Sequence, residues 1–121
     1  MGYYSDVKFA LPLSNWNALK AQAAEKVKQS SDPEGRNLLN HPESEREFDW
    51  KGQRWVLVTW YYVKWYYNEP DVAVIEAYLD ESDEYEYARV GEEVDDVERR
   101  SGDDSYDILH TNTIIEVEVD V

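Results

Sequence analysis

The sequence predicts an α+β fold: a single antiparallel or mixed sheet with two helices on one face, a variant of the ferredoxin-like split βαβ arrangement. Three observations predict it. Apolar residues recur at helical spacing in two separate stretches, 15–29 and 70–80. The stretches around them alternate or run apolar in the manner of strands. Pro, Gly and Asn fall between these stretches and punctuate them. At 121 residues the chain reads as one domain, residues 1–121. That length can bury roughly 65% of the unfolded surface, enough for one ordinary core.

Tyr4 to Leu13 reads as a strand, with Val7, Phe9 and Leu11 alternating against Asp6, Lys8 and Ala10, and Pro12 ending it. Ser14 is the expected N-cap of a helix over Asn15 to Gln29. Trp16, Leu19, Ala23 and Val27 form its apolar stripe, and Lys26 and Lys28 suit the negative end of its dipole. Ser30 to Glu45 reads as loop, with a helical turn at Asn37 to Asn40 that lets Leu38 and Leu39 pack. Phe48 to Trp50 leads into a tight hairpin turn at Lys51-Gly52.

Gln53 to Tyr67 is the aromatic centre of the chain. Trp55, Leu57, Thr59, Tyr61, Val63 and Trp65 line one face; Val56, Val58, Trp60, Tyr62 and Tyr66 line the other. Both faces are apolar, so the strand should be covered on both sides, or one face should be an interface. Fully extended it would reach ~50 Å, too long for a small domain, so a bend or bulge is expected near Thr59 or Tyr62. Asn68 is the expected cap of a helix running to Asp80, with Pro70 in its first turn and Asp71 at the capping-box position. Val72, Ile75 and Leu79 form its buried stripe. Glu84 to Val90 returns as a strand, alternating Tyr85, Tyr87 and Arg89 with Glu86, Ala88 and Val90, and Gly91 breaks it. Val94 to Arg100 is weakly strand-like, and 101–104 is a turn. Ile108 to Val119 is the cleanest strand, with Leu109, Thr111, Thr113, Ile115, Val117 and Val119 inward and Glu116, Glu118 and Asp120 outward.

Charge divides the chain. Residues 69–121 hold 19 acids against 3 bases and residues 1–68 hold 8 against 9, which gives the overall −15. That charge argues against direct binding of nucleic acid, which needs Lys and Arg to neutralise phosphate, and against an anionic membrane surface. The absence of cysteine removes disulfides, thiolate metal sites and cysteine nucleophiles, and fits a reducing cytoplasm. Residues 1–6 lack the basic and apolar regions of a secretory signal, and no apolar run approaches the ~20 residues of a membrane span. A cytoplasmic location is expected.

No complete catalytic motif is present, so no catalytic residue, metal or cofactor is assigned and the chain reads as non-enzymatic. His41 and His110 are isolated and make neither a triad nor a zinc site. The densest acidic run, Gly91 to Glu98, lacks the fixed order of an EF-hand loop and reads as a solvated turn before it reads as a Ca²⁺ or Mg²⁺ site. Paired carboxylates could serve glycoside cleavage, but acids are so abundant here that some pair always falls close. Trp and Tyr on the central strand could stack bases, yet only Lys51, Arg54 and Lys64 lie near. A large aromatic core is the simpler account. An aromatic interface through Trp60, Tyr62, Tyr66 and Tyr67, giving a homodimer, is the second.

Met1 to Val7, and Tyr87 to Glu98 with its sequence YARVGEEVDDVE, resemble small uncharacterised acidic proteins of phages and prophages. The resemblance covers under a fifth of the chain. It implies an accessory protein of a mobile element acting in a bacterial host, a group that includes inhibitors of restriction and CRISPR nucleases. Together with the charge, it leads to an acidic binding protein whose partner is a basic, nucleic-acid-handling protein. Carboxylates at strand or helix spacing would mimic a phosphate backbone. The expected contact residues are Glu92, Glu93, Asp95, Asp96, Glu98, Asp103 and Asp104. The alternatives are the oligomerising accessory protein, and a divalent-metal binder or carboxylate enzyme.

Overall fold

The computed structural model describes residues 2–102. The expected strand at 108–119, together with Asp103, Asp104 and His110, lies outside the described residues. In chain order the elements are β1 (Ser5–Pro12), α1 (Leu13–Lys28), a 3-10 turn (Leu38–Asn40), β2 (Ser44–Trp50), β3 (Gln53–Val63), α2 (Pro70–Glu81), β4 (Glu86–Val90) and β5 (Val97–Ser101). The strands form one five-stranded sheet in the order β2-β3-β1-β4-β5, with every neighbouring pair antiparallel. β1 therefore runs parallel to β2 with β3 between them, and β3 runs parallel to β4 with β1 between them. This is the α+β class expected, broadly ferredoxin-like, with β5 added at one edge.

Pro12 still pairs with Trp55 while its φ of −58° and ψ of 140° turn the chain directly into α1. The helix thus starts two residues before the expected position, with Pro12 as N-cap and no side-chain cap; Ser14 lies inside the first turn. The predicted stripe of Trp16, Leu19, Ala23 and Val27 is the buried one. Glu69 rather than Asn68 is the N-cap of α2, and Pro70 takes the first helical position. Asp71 does not close a capping box. Its buried carboxylate accepts from Leu38 N (2.8 Å) and Val72 N (2.8 Å) and pairs with Arg36 (3.3 Å). It ties the 3-10 turn to the start of α2.

The turn between β2 and β3 has Lys51 at φ 52° and Gly52 at φ 78°, the two left-handed residues a tight hairpin requires. β2 begins at Ser44, several residues earlier than the loop expectation, because it pairs along β3 from Thr59 to Gln53. On β3, Tyr62 has φ 56°, and the register against β1 slips between Ser5↔Val63 and Val7↔Trp60. A bulge therefore sits at Tyr61–Tyr62, as the strand's length requires. The extra residue reverses the alternation beyond it. Val63 and Trp65, expected on the Trp55 face, instead join the helix-side core.

That core gathers Val7, Phe9 and Leu11 of β1, Val56, Val58 and Trp60 of β3, Tyr85 and Tyr87, and the stripes of both helices. Trp16 meets Trp60 and Phe9 edge-on at 6.0 and 6.5 Å between centroids, an arrangement that adds to simple area burial. A second cluster on the opposite face contains Ala10, Trp55, Leu57 and Ala88.

Asp71→Ala should lower the unfolding free energy by about 1–3 kcal/mol, the cost of leaving the buried Leu38 N–H unpaired. Asp71→Asn keeps an acceptor and should lose less. Denaturant titration of the two variants gives the order; equal losses would show that the bond to Leu38 is not what Asp71 contributes.

Candidate functional site

β4 and β5 are joined by a short acidic loop. Gly91 N donates to Asp96 O (2.8 Å), Asp96 N to Glu93 O (3.0 Å) and Val97 N to Asp95 O (3.1 Å), so the loop backbone is closed on itself. Arg89 of β4 stands directly opposite Glu98 of β5, on the helix-side face. Opposite charges at such a pair stabilise the register.

Arg89 is the hub of the loop. Its Nε donates to Glu98 Oε1 (3.1 Å), its Nη2 to Asp96 Oδ1 (2.9 Å), and its Nη1 to Asp96 Oδ2 (3.3 Å) and Ser5 Oγ (3.1 Å). Burial alone would lower the guanidinium's pKa, but the bonds to Asp96 and Glu98 outweigh it and hold the pKa above its ordinary value. Asp96 is held below the usual carboxylate range by Arg89 and then by Tyr3. That is the opposite of the direction a general acid needs.

The N-terminal segment closes the other side. Tyr3 Oη donates to Asp96 Oδ2 (2.5 Å) and accepts from Glu93 N (3.2 Å), while Tyr4 N donates to Glu92 Oε2 (2.7 Å). The bond to Asp96 is the main cause that raises the Tyr3 phenol. Tyr3 N in turn donates to Tyr66 Oη (2.8 Å).

Behind Glu98 runs a chain of hydroxyls. Tyr67 Oη donates its one hydrogen to Glu98 Oε1 (2.7 Å), so in the 2.7 Å contact between Tyr67 and Tyr87 it must accept. Trp65 Nε1 donates to Tyr87 Oη (2.9 Å). The donors thus point in sequence from Trp65 through Tyr87 and Tyr67 to the carboxylate. Burial pushes the Tyr67 phenol up to about 12 and raises Tyr87 as well.

The expected contact residues therefore divide. Glu92, Glu93 and Asp95 are exposed at the loop tip beside a fully exposed Val94. Asp96 and Glu98 turn back to Arg89, and Asp103 and Asp104 lie outside the described residues. The aromatic set divides too. Trp60 is buried in the helix-side core, its Nε1 donating to Leu38 O (2.8 Å). Tyr66 and Tyr67 are engaged by Tyr3 and by Tyr87 and Glu98. Tyr62 is 71% exposed and stacks on Tyr4 with ring centroids 4.2 Å apart. Arg89 and Tyr3 are not among the site residues expected from the sequence. The signal for Arg89 was a cation in phase with Tyr85 and Tyr87, on the apolar face of its strand, where it needs carboxylate partners. Tyr3 carried no local signal.

Among the described residues no group of three or more His, Asp or Glu is placed to hold a metal ion. His41 is exposed in a loop. Among the described residues no helix is long and apolar enough to cross a membrane. A shallow groove of about 310 Å³ opens between α1 and α2, lined in part by Leu19, Val74 and Tyr78. Comparison of the chain with family models, curated proteins and solved structures yields no match.

Because the folded Asp96 pKa is lowered, its bond to Arg89 stabilises the fold fully above the ordinary carboxylate pKa of ~3.9 and is lost as pH falls through the depressed value. Arg89→Met should move the Asp96 carboxyl titration, followed by NMR, upward toward the ordinary range, with the bond from Tyr3 still holding it down in part. It should also cost about 1–2 kcal/mol, below the ~3–5 of a fully buried pair because both carboxylates stay partly exposed. An unchanged Asp96 titration would remove Arg89 as the hub.

Proposed function

We propose that the protein is a non-enzymatic acidic binding protein that engages a basic site on a nucleic-acid-handling protein, as a phage-type inhibitor acting in a bacterial cytoplasm. The observation that carries this reading is the loop tip: Glu92, Glu93 and Asp95 are exposed within four residues of one another on a backbone pinned at both ends. A carboxylate group held in place before binding loses less entropy on association than a mobile tail would. Its field also speeds capture of a basic partner, at a rate that falls with ionic strength. Mimicry of a phosphate backbone is the specific form of this reading. The phage setting rests on the resemblance of Met1 to Val7 and Tyr87 to Glu98.

A second reading, a self-associating accessory protein, is favoured by Tyr62 and Tyr61, exposed together at the β3 bulge. Large aromatics exposed side by side are common anchors of protein contacts.

The first reading is tested by pull-down from bacterial lysate at low and high salt, with the intact chain beside the triple variant Glu92→Gln, Glu93→Gln, Asp95→Asn. Nucleic-acid-binding proteins should be recovered at low salt, be released at high salt and be lost with the triple variant. Equal recovery by both proteins would sink the reading.

The second is tested by light scattering over a concentration series. Self-association through the bulge predicts a mass that rises with concentration and returns to the monomer's in Tyr62→Ser; a constant monomer mass removes it.

A further inference from the structure

The centre of the sheet face opposite the helices is buried, and no helix among the described residues packs on it. Residues directly paired across strands share a face. By that rule Lys8 and Ala10 of β1, Trp55, Leu57 and Thr59 of β3, and Glu86 and Ala88 of β4 all point away from the helices. Arg46 pairs with Leu57, and Arg99 pairs with Ala88, so both arginines belong to the same face. Ala10, Trp55 and Ala88 are 0% exposed and Lys8 is 1% exposed. Yet among the described residues the apolar cluster here contains strand residues alone, whereas both helices and the 3-10 turn join the other cluster. A short side chain such as alanine in an uncovered sheet layer stays open to water. Neighbours within the layer cannot bring it to zero.

We infer that this face is a docking site for the chain's own C-terminal segment, residues 103–121. The segment follows Gly102, immediately beyond the edge strand β5. Its 19 residues are more than enough to traverse five strands set ~4.8 Å apart. Its pattern suits one apolar surface and one solvent surface: Leu109, Thr111, Thr113, Ile115, Val117 and Val119 alternate with Glu116, Glu118 and Asp120. Its charge suits the site as well. It carries six acids and no Lys or Arg, while the face holds Arg46 and Arg99 at its two margins and Lys8 at its centre, against the carboxylates of Asp6 and Glu86. The Lys8 ammonium is already oriented by Thr59 Oγ1 (3.1 Å) and Tyr61 Oη (2.7 Å). A sheet covered by helices on one face and by its own acidic segment on the other explains how both faces of β3 can be apolar in one chain.

The chain has no cysteine, so a single nitroxide label can be placed by Thr113→Cys in the full-length protein. Amide NMR signals of Ala10, Leu57 and Ala88 should lose most of their intensity, while Ala24 on the outer side of α1 keeps its own. Spin-labelled chains mixed with isotope-labelled, unspin-labelled chains should show no such loss. In the unsubstituted chain, methyl NOEs should link Leu57 and Ala88 to Ile115 or Val117, which covers the case where the substitution disturbs folding. Full intensity at Ala10, Leu57 and Ala88 with no such NOEs would overturn the inference. So would a comparable loss in the mixed sample, since the cover would then be a second copy of the chain.

Discussion

The middle of this sheet is apolar on both faces, and most of the architecture answers to that. β1 places Val7, Phe9 and Leu11 under the helices and Ala10 on the far side; β3 does the same with Val56, Val58 and Trp60 against Trp55 and Leu57. Strands of this kind are unstable at an edge, where one backbone row and part of both faces meet water. The topology keeps them inside. β3 returns from the hairpin to pair with β1, and the crossover through α2 delivers β4 to the other side of β1. Among the described residues the edges fall to β2 and β5, whose residues are largely exposed and rich in charge.

An aromatic core brings polar atoms inside with it, and those atoms dictate the next layer. Trp60 needs an acceptor for its indole N–H and finds Leu38 O, which is one reason the 3-10 turn sits where it does. Asp71 holds the same turn from the α2 side. Trp65, Tyr87 and Tyr67 form a second line of donors, and such a line must end on an acceptor. It ends on Glu98, a partly exposed carboxylate whose charge is paired with the cation of Arg89. The inner half of the acidic loop is thus the terminus of the core's own hydrogen-bond chain.

What could be read from the sequence follows from how local each cause is. The helix stripes are periodic and local, so Trp16, Leu19, Ala23 and Val27, and likewise Val72, Ile75 and Leu79, were legible. So was the tight turn at Lys51-Gly52, since positive φ has a composition signature. The bulge was legible as a necessity of length, and it falls at Tyr62. Its consequence for Val63 and Trp65 was not, because a one-residue insertion reverses every later position and leaves no mark on the pattern. Ser14 and Asn68 looked like caps because their side chains suit that role. Pro12 and Glu69 took the position because strand pairing and Pro70 set where each helix begins. The site was half legible. Its acids were plain, but the contacts that sort them join residues 3, 89 and 96, and no window of sequence spans that distance.

This sorting changes what the charge can do. Formal charge counts every carboxylate alike, yet a carboxylate bonded to a half-buried guanidinium presents little of its field to a partner. Asp96 and Glu98 are spent on Arg89, Glu76 and Asp80 on Arg100, and Asp71 on Arg36. Glu92, Glu93 and Asp95 have no cation bonded to them among the described residues, and they stand on the segment those ion pairs immobilise. Among the described residues of the second half, part of the negative charge is therefore compensated within ion pairs, while Glu92, Glu93 and Asp95 stand uncompensated together at one point. A partner drawn to that point would sense the few charges at the loop tip. The salt dependence of its binding would be correspondingly shallower than the formal charge of the chain suggests.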